Sequence, residues 1–462
     1  MSSGNYVVAA GDSFVQLIDR FLYLYDGKRY LNEEDLKRVI TNTIDKYLYS
    51  FGAEMNYKTK KIPKNRLKRF IQKTNEIHRA KYMDSCEIYW DSGGYQVSNG
   101  ALHPKYMKDF IQMYYGAVKN HTDIYDHAFL MDLPPGPGTK DFFSSNKQIE
   151  EINRYSYEMA SNMYTEEEKK KLIFVYHFRS PALYDTWTKF MFEDGLADGY
   201  EYFGTGGIVA NIKSDILNPL VSYTLPLSCI LRYAIDRNMK KFNFHVLGGA
   251  NFIDVFYHKL MTLHIKEHHD IDVNITYDST GLFKGISVAR YVYTINNLGN
   301  MVKMEYGSDK LHLRFDEGGT IEDKLYEHVN NISRKYNIKQ IDRNITPVYK
   351  NGRISMCMNI YLMMYLLDIY RVIEDMSELQ CAEVYKFYKS GEHSEFIKQC
   401  TEIIKRHNYG KVSTKMKSKC NSLIKSMKML ENPDLDYNKH MVEKYMDSES
   451  LGSKGHDEIL TW

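Results

Sequence analysis

The sequence predicts an α/β fold: a (β/α)8 TIM-like barrel with an appended, mostly helical C-terminal region. Three observations carry this expectation. Short apolar, β-rich runs recur at 86–90, 128–131, 172–178, 199–203, 242–247 and 273–277. Each ends in a polar or glycine-bearing turn, and the stretch that follows places apolar residues at helical spacing. Tyr106, Phe110, Met113 and Tyr114 form one such face; Leu225, Cys229, Ile230, Tyr233 and Ala234 form another. Strand and helix alternating at this pitch imply parallel strands joined by crossover helices. Finally, polar residues gather just past the strand ends: Asp91, Asp132, the glycines of 204–207, Gly248-Gly249 and Asp278. A closed barrel brings all of these to one C-terminal mouth, whereas an open sheet brings together only those at its switch point. Six runs with room for two more therefore favour the barrel.

The chain has 462 residues, 43% hydrophobic and 26% charged, enough to bury a large barrel and a further domain. Residues 1–300 read as the barrel, 301–447 as the helical region and 448–462 as a flexible tail. A strand is expected at 311–315, and helix from Ile321 onward. The formal charge is only +2, so any nucleic-acid surface must come from local clusters. Two are present. One, read as a basic insertion at about 58–81, holds Lys64, Arg66, Lys68 and Arg69. The other, at 401–432, holds Lys405, Arg406, Lys415, Lys417 and Lys419.

Several classes are disfavoured. The most apolar stretch, 354–367, is too short to cross a bilayer and reads as a buried helix. The first ten residues lack a secretory pattern, so a cytoplasmic location is expected. Six cysteines, no two closer than nineteen residues, read as reduced buried thiols rather than zinc ligands. His258, His264, His268 and His269 lack the H-E-x-x-H pattern and read as a solvated helix end. No metal and no cofactor is expected.

Four motifs could carry chemistry. In Asp91-Ser92-Gly93-Gly94-Tyr95-Gln96 a strand delivers a carboxylate. Two glycines then let the backbone approach a flat ligand, and Tyr and Gln follow that can stack on a base and hydrogen-bond it. In Met131-Asp132-Leu133-Pro134-Pro135 an Asp ends a buried strand ahead of a stiff loop; its carboxylate could accept from guanine N1–H and the exocyclic amine. The turn Gly204-Thr205-Gly206-Gly207 could face a ligand edge with its backbone. Asp278 closes a period-two strand and could attack a sugar C1′. Asp270 and Asp272 are rivals at the opposite end of the same strand. Taken singly, each motif also fits an ordinary capped turn.

Together, these residues resemble a known family. The run D-S-G-G-Y-Q after a barrel strand resembles the signature of the tRNA-guanine transglycosylase superfamily. The later motifs follow in that family's order: Asp132 in L-M-D-L-P-P, the Gly206-Gly207 turn, and Tyr277-Asp278-Ser279. The resemblance implies a pentosyltransferase that exchanges guanine for a free 7-deazaguanine base. Asp278 would be the nucleophile, Asp91 the proton-transfer base, Asp132 the guanine reader and Tyr95 a stacking platform. Ser92, Gly93, Gly94, Gln96, His177, Gly206 and Gly207 would line the substrate site. The chain departs from the family at three places. It lacks the C-x-C-x-x-C zinc site and the basic P-T-R run. Val175-Tyr176-His177 stands where tRNA enzymes carry V-Q-G. These departures resemble the phage-type DNA-guanine transglycosylases, so DNA is the expected polymer and tRNA the alternative. A noncatalytic nucleic-acid-binding member of the superfamily, and a glycosidase using Asp91 and Asp278, are the other readings. A helper protein or a homodimer is left open. If the source is viral, the cytoplasm is the host's.

Overall fold

The computed structural model describes residues 5–9, 34–35, 44–52, 55, 57–79, 86–134, 146–178, 181–206, 223–249, 251–279, 285–350, 352–407 and 414–445. Eight strands form its centre: β1 (Tyr6–Val7), β2 (Lys46–Ser50), β3 (Glu87–Asp91), β4 (His127–Phe129), β5 (Leu172–Tyr176), β6 (Tyr202–Thr205), β7 (Lys241–Val246) and β8 (Asp272–Asp278). They lie in the order β1-β8-β7-β6-β5-β4-β3-β2, each parallel to its neighbour. The two edges meet. Val8 bridges Tyr47 in parallel register, with Val8 N–H on Lys46 O at 2.9 Å and Leu48 N–H on Val8 O at 3.0 Å. The ring is closed by these bonds, and the expected barrel is present.

Crossover helices follow most strands: α1 (Arg66–Arg79), α2 (Met107–Asn120), α3 (Asn146–Met163), α4 (Pro181–Phe192), α5 (Leu225–Asp236) and α6 (Phe252–His269). The strands alternate as their pleat demands. Outward residues such as Ile88, Trp90, Phe174, Phe203 and Phe244 join the core beneath the helices. Inward residues Val7, Leu48, Tyr89, Phe129, Ile173, Val175 and Tyr202 fill the barrel axis. Period two then fixes the direction of the remaining residues. Asp91 shares the inward phase of Tyr89, and Asp278 shares that of Thr276.

The sequence differs from these elements in instructive places. β1 and β2 are the two strands missing from the six runs; β1 has only two residues, too few to show a period. The expected strand at 311–315 is a turn, with only an isolated bridge from Arg314 to Thr320. A hairpin the periodicity did not single out, β9 (Tyr291–Ile295) with β10 (Met301–Glu305), follows the barrel instead. The basic stretch at 58–81 is not an insertion: α1 is the crossover between β2 and β3.

The C-terminal region is helical as expected: α7 (Ile321–Lys335), α8 (Met356–Lys389), α9 (His393–His407), α10 (Thr414–Glu431) and α11 (Leu435–Tyr445). Its longest helix, α8, braces the barrel seam. Buried Glu374 accepts from Asn5 N–H at 2.9 Å and from the Tyr277 hydroxyl at 2.5 Å, and Arg371 reaches both oxygens of Asp45. His264 is not at a solvated helix end. It is buried, with Nδ1 against Tyr385 Oη and Nε2 against Met427 O, so it pins α6 to α8 and α10. His258 is buried as well, while His268 is exposed. All six cysteines are free and buried. Among the described residues no helix is long and apolar enough to cross a membrane. Residues 448–462 lie outside the described residues.

Candidate active site at the barrel mouth

Three carboxylates stand at the C-terminal ends of β3, β4 and β8. Asp91 is the last residue of β3 and is tied to its neighbour strand: Phe51 N–H donates to Asp91 O at 2.7 Å. The Ser50 hydroxyl and the Gly93 N–H stand near its carboxylate and favour the ionised form. Burial nevertheless outweighs these donors, and the nearby Asp132 and Asp278 add to it. Together they push Asp91 up to about 6.

The two glycines after Asp91 have separate reasons. Gly93 has φ 87°, and a Cβ there would sit 2.4 Å from Gly52 Cα. A Cβ on Gly94 would sit 2.2 Å from the Asp132 carbonyl oxygen. Glycine alone lets the β3 turn pass between the ends of β2 and β4. The close approach also brings Ser92 to Asp132: the buried Ser92 hydroxyl lies 3.5 Å from Oδ1. His177, just past β5, places Nε2 2.7 Å from Asp132 Oδ2. It is buried, edge-on to Trp187. Gly206, just past β6, is open toward His177: a Cβ there would only touch His177 Cε1, at 3.5 Å, and Leu247.

Asp278 closes β8 with 8% of its surface exposed, enough to reach the mouth. Its Oδ1 accepts from Gly248 N–H at 2.9 Å and lies 3.2 Å from His245 Nε2. Behind it a polar file descends the barrel axis. His245 Nδ1 is 2.8 Å from Thr276 Oγ1, which is 2.6 Å from the Tyr202 hydroxyl. That hydroxyl lies 3.3 Å from the Tyr89 hydroxyl, which donates to Glu87 Oε2 at 3.1 Å. Lys46 pairs with the same Glu87 oxygen at 3.3 Å.

The barrel thus gathers Asp91, Ser92, Gly93, Gly94, Asp132, His177, Gly206 and Asp278 at one end. Gly207 lies outside the described residues. Tyr95 is 58% exposed at the same turn, as a stacking surface requires. Gln96 Oε1 is buried beside Gly52, so this side chain packs under the turn. Asp270 and Asp272 lie at the far end and share Lys266 as a partner.

The basic residues divide. Lys64, Lys68 and Arg69 are exposed where α1 begins, on the mouth side. Arg66 is not available to a phosphate. It is 1% exposed and donates from Nε to Phe51 O at 2.6 Å and from Nη2 to Ser50 O at 3.0 Å. It braces the segment that carries Ser50, the partner of Asp91. Arg406 is exposed and Lys405 half-buried at the end of α9. There His407 lies against Phe252 O, the first residue of α6, and so again on the mouth side. Lys415, Lys417 and Lys419 belong to α10, where only the backbone is described.

Sequence reasoning missed His245, Thr276, Ser50 and the role of Arg66. A signal for the first two existed. In the run 242–247 the apolar residues Phe242, Phe244 and Val246 all share one phase, which leaves His245 inward, and its register partner is Thr276. A polar residue at the inward phase of a barrel strand must be satisfied inside the barrel. Ser50 and Arg66 act through backbone contacts that no spacing reveals.

Searches against protein-family models and against curated proteins find no match to the chain.

Proposed function

We propose that the chain is a base-exchanging transglycosylase that replaces guanine in DNA with a free 7-deazaguanine base. One observation carries the reading: Asp91, Asp132 and Asp278 meet at a barrel mouth, where Asp91 is raised to about 6 partly by the other two. Carboxylates pushed into different environments are how one site divides nucleophile from proton-transfer group.

The target nucleotide must leave the stack, because a paired base hides its C1′–N9 bond. Tyr95 offers the flipped base a surface. Asp132 offers acceptors to guanine N1–H and the exocyclic amine. His177 occupies one site on Oδ2, and each carboxylate oxygen has a second. Asp278 attacks C1′, the C1′–N9 bond breaks, and guanine leaves with the electron pair and takes a proton from solvent. A glycosyl ester on Asp278 remains. Ionised Asp91 then takes the N9 proton of the incoming 7-deazaguanine, N9 attacks C1′, and the Asp278 carboxylate is released. Two inversions give net retention. Lys64, Lys68, Arg69 and Arg406 line the approach for phosphates.

The test is direct. The protein is incubated with guanine-containing duplex or single-stranded DNA, or with tRNA, plus candidate 7-deazaguanines, and the nucleosides are analysed after digestion. The proposal expects modified deoxynucleoside and released guanine from DNA. Incorporation into tRNA alone would replace DNA by tRNA as substrate. No exchange with either polymer would favour the noncatalytic reading.

A further inference from the structure

The reading above assigns no task to His245. It is fully buried, one residue before the end of β7, and meets the site only through the Asp278 carboxylate. Its two ring nitrogens join the Asp278 carboxylate to a file of hydroxyls that ends on a second carboxylate, Glu87.

The two ends of this file fix part of its direction. Carboxylates only accept, so His245 Nε2 carries a proton toward Asp278, and Tyr89 gives its own to Glu87. Tyr202 in turn donates to Tyr89 at 3.3 Å. The Thr276 hydroxyl lies between the Tyr202 hydroxyl, at 2.6 Å, and His245 Nδ1, at 2.8 Å, and holds the ring by that nitrogen. Thr276 is the register partner of His245 across β7 and β8, so this lock belongs to the barrel's own ladder.

Both hydrogen bonds to Asp278 fall on the same oxygen. Oδ1 takes Gly248 N–H and His245 Nε2–H, while among the described residues Oδ2 takes none. We infer that His245 is the positioning residue of Asp278: held by Thr276 with its proton on Nε2, it clamps Oδ1 together with Gly248 and leaves Oδ2 as the oxygen that attacks C1′. A hydroxyl on Nδ1 thus sets the aim of a carboxylate about two hydrogen bonds away. A hydrogen-bond partner on the far ring nitrogen orients metal-bound histidines in the same way.

The kinetic arm of the test rests on the proposed transglycosylation; the spectroscopic arm does not. With ¹⁵N-labelled imidazoles, the His245 signal, assigned by its absence in His245→Gln, should show a protonated Nε2. A bare Nε2 overturns the proposal, whatever the activity. Thr276→Val, which keeps the shape of the side chain but removes the partner of Nδ1, should shift the Nδ1 signal; an unchanged His245 signal also overturns it. In single-turnover reactions with guanine-containing DNA, His245→Leu should slow formation of the Asp278 adduct by about 100-fold, the scale of a misaimed reacting group, with DNA affinity unchanged. His245→Gln, whose amide can still donate to Oδ1, should recover most of the rate. Thr276→Val should slow the wild type but not the His245→Gln variant, a non-additivity that mere packing would not produce. Full adduct rates in His245→Leu, or additive effects, would contradict the assignment. If the wild type forms no adduct with either DNA or tRNA, the functional reading fails, and the tautomer measurement still decides this one.

Discussion

Asp91 concentrates the chemistry of the site in one titration. Its value near 6 comes first from burial, so the folded protein holds this proton more tightly than the unfolded chain does. Stability contributed by the site therefore falls as pH rises from the ordinary aspartate range through about 6, by up to about 3 kcal/mol, and is level above that. Asp91→Asn, neutral at every pH, should be more stable than the wild type above pH 6 and match it near pH 4, as read by denaturant titration at the two pH values. The functional outcome is separate. In the proposed exchange, base incorporation needs ionised Asp91 and should rise with pH through about 6, whereas adduct formation should not follow that limb. Asp91→Asn should accumulate the glycosyl adduct and release guanine without incorporating the incoming base. A variant that completes exchange at the wild-type rate would remove Asp91 from proton transfer. At this scale the sequence was informative: each of the three carboxylates was visible because it ends a β-rich run. What it concealed was partnership. Ser50, His177 and His245 act on Asp91, Asp132 and Asp278 across strands, and cross-strand register cannot be read from one strand's composition.

At the scale of elements, the DSGG turn is a packing device before it is a binding loop. Gly94 passes so close to the end of β4 that a methyl group there would meet the Asp132 carbonyl at 2.2 Å. Gly94→Ala must separate β3 from β4, at a cost of about 1–3 kcal/mol, and it displaces Asp132 as well. Gly116 is the contrast. It lies within α2, and a Cβ there meets nothing within 4 Å, so Gly116→Ala should stabilise by about 0.5–1 kcal/mol. Thermal melts and exchange rates of the pair check both signs: Gly94→Ala less stable and nearly inactive, Gly116→Ala more stable and fully active. Strand phase was the most legible element-level feature, since period two alone turns Asp91 and Asp278 inward. Boundaries were less so. The run at 199–203 becomes β6 at Tyr202–Thr205, because the parallel ladder with β5 and β7, rather than local hydrophobicity, decides where pairing starts. The 311–315 run has strand-like residues but, among the described residues, pairs only through the isolated bridge from Arg314 to Thr320.

For the whole molecule, the barrel and its helical region were legible from the alternation of periods, whereas the joint between them was not. Glu374 sits in a helix whose first turns read only as a buried helix, yet it ties that helix to β1 and β8 by accepting from Asn5 and Tyr277. The Asn5 contact joins residues 369 positions apart. The same assembly brings the start of α1 and the end of α9, each bearing exposed cations, to the mouth side where Asp278 lies. The proposed mechanism therefore turns on a bond between this chain and a polymer. The most direct measurement is mass spectrometry of the denatured protein after incubation with guanine-containing DNA in the absence of incoming base. A covalent sugar adduct is expected on the peptide containing Asp278 in the wild type, and its loss in a folded Asp278→Asn variant. Base exchange that proceeds in Asp278→Asn, or an adduct that maps to Asp91 or Asp132, would contradict the mechanism.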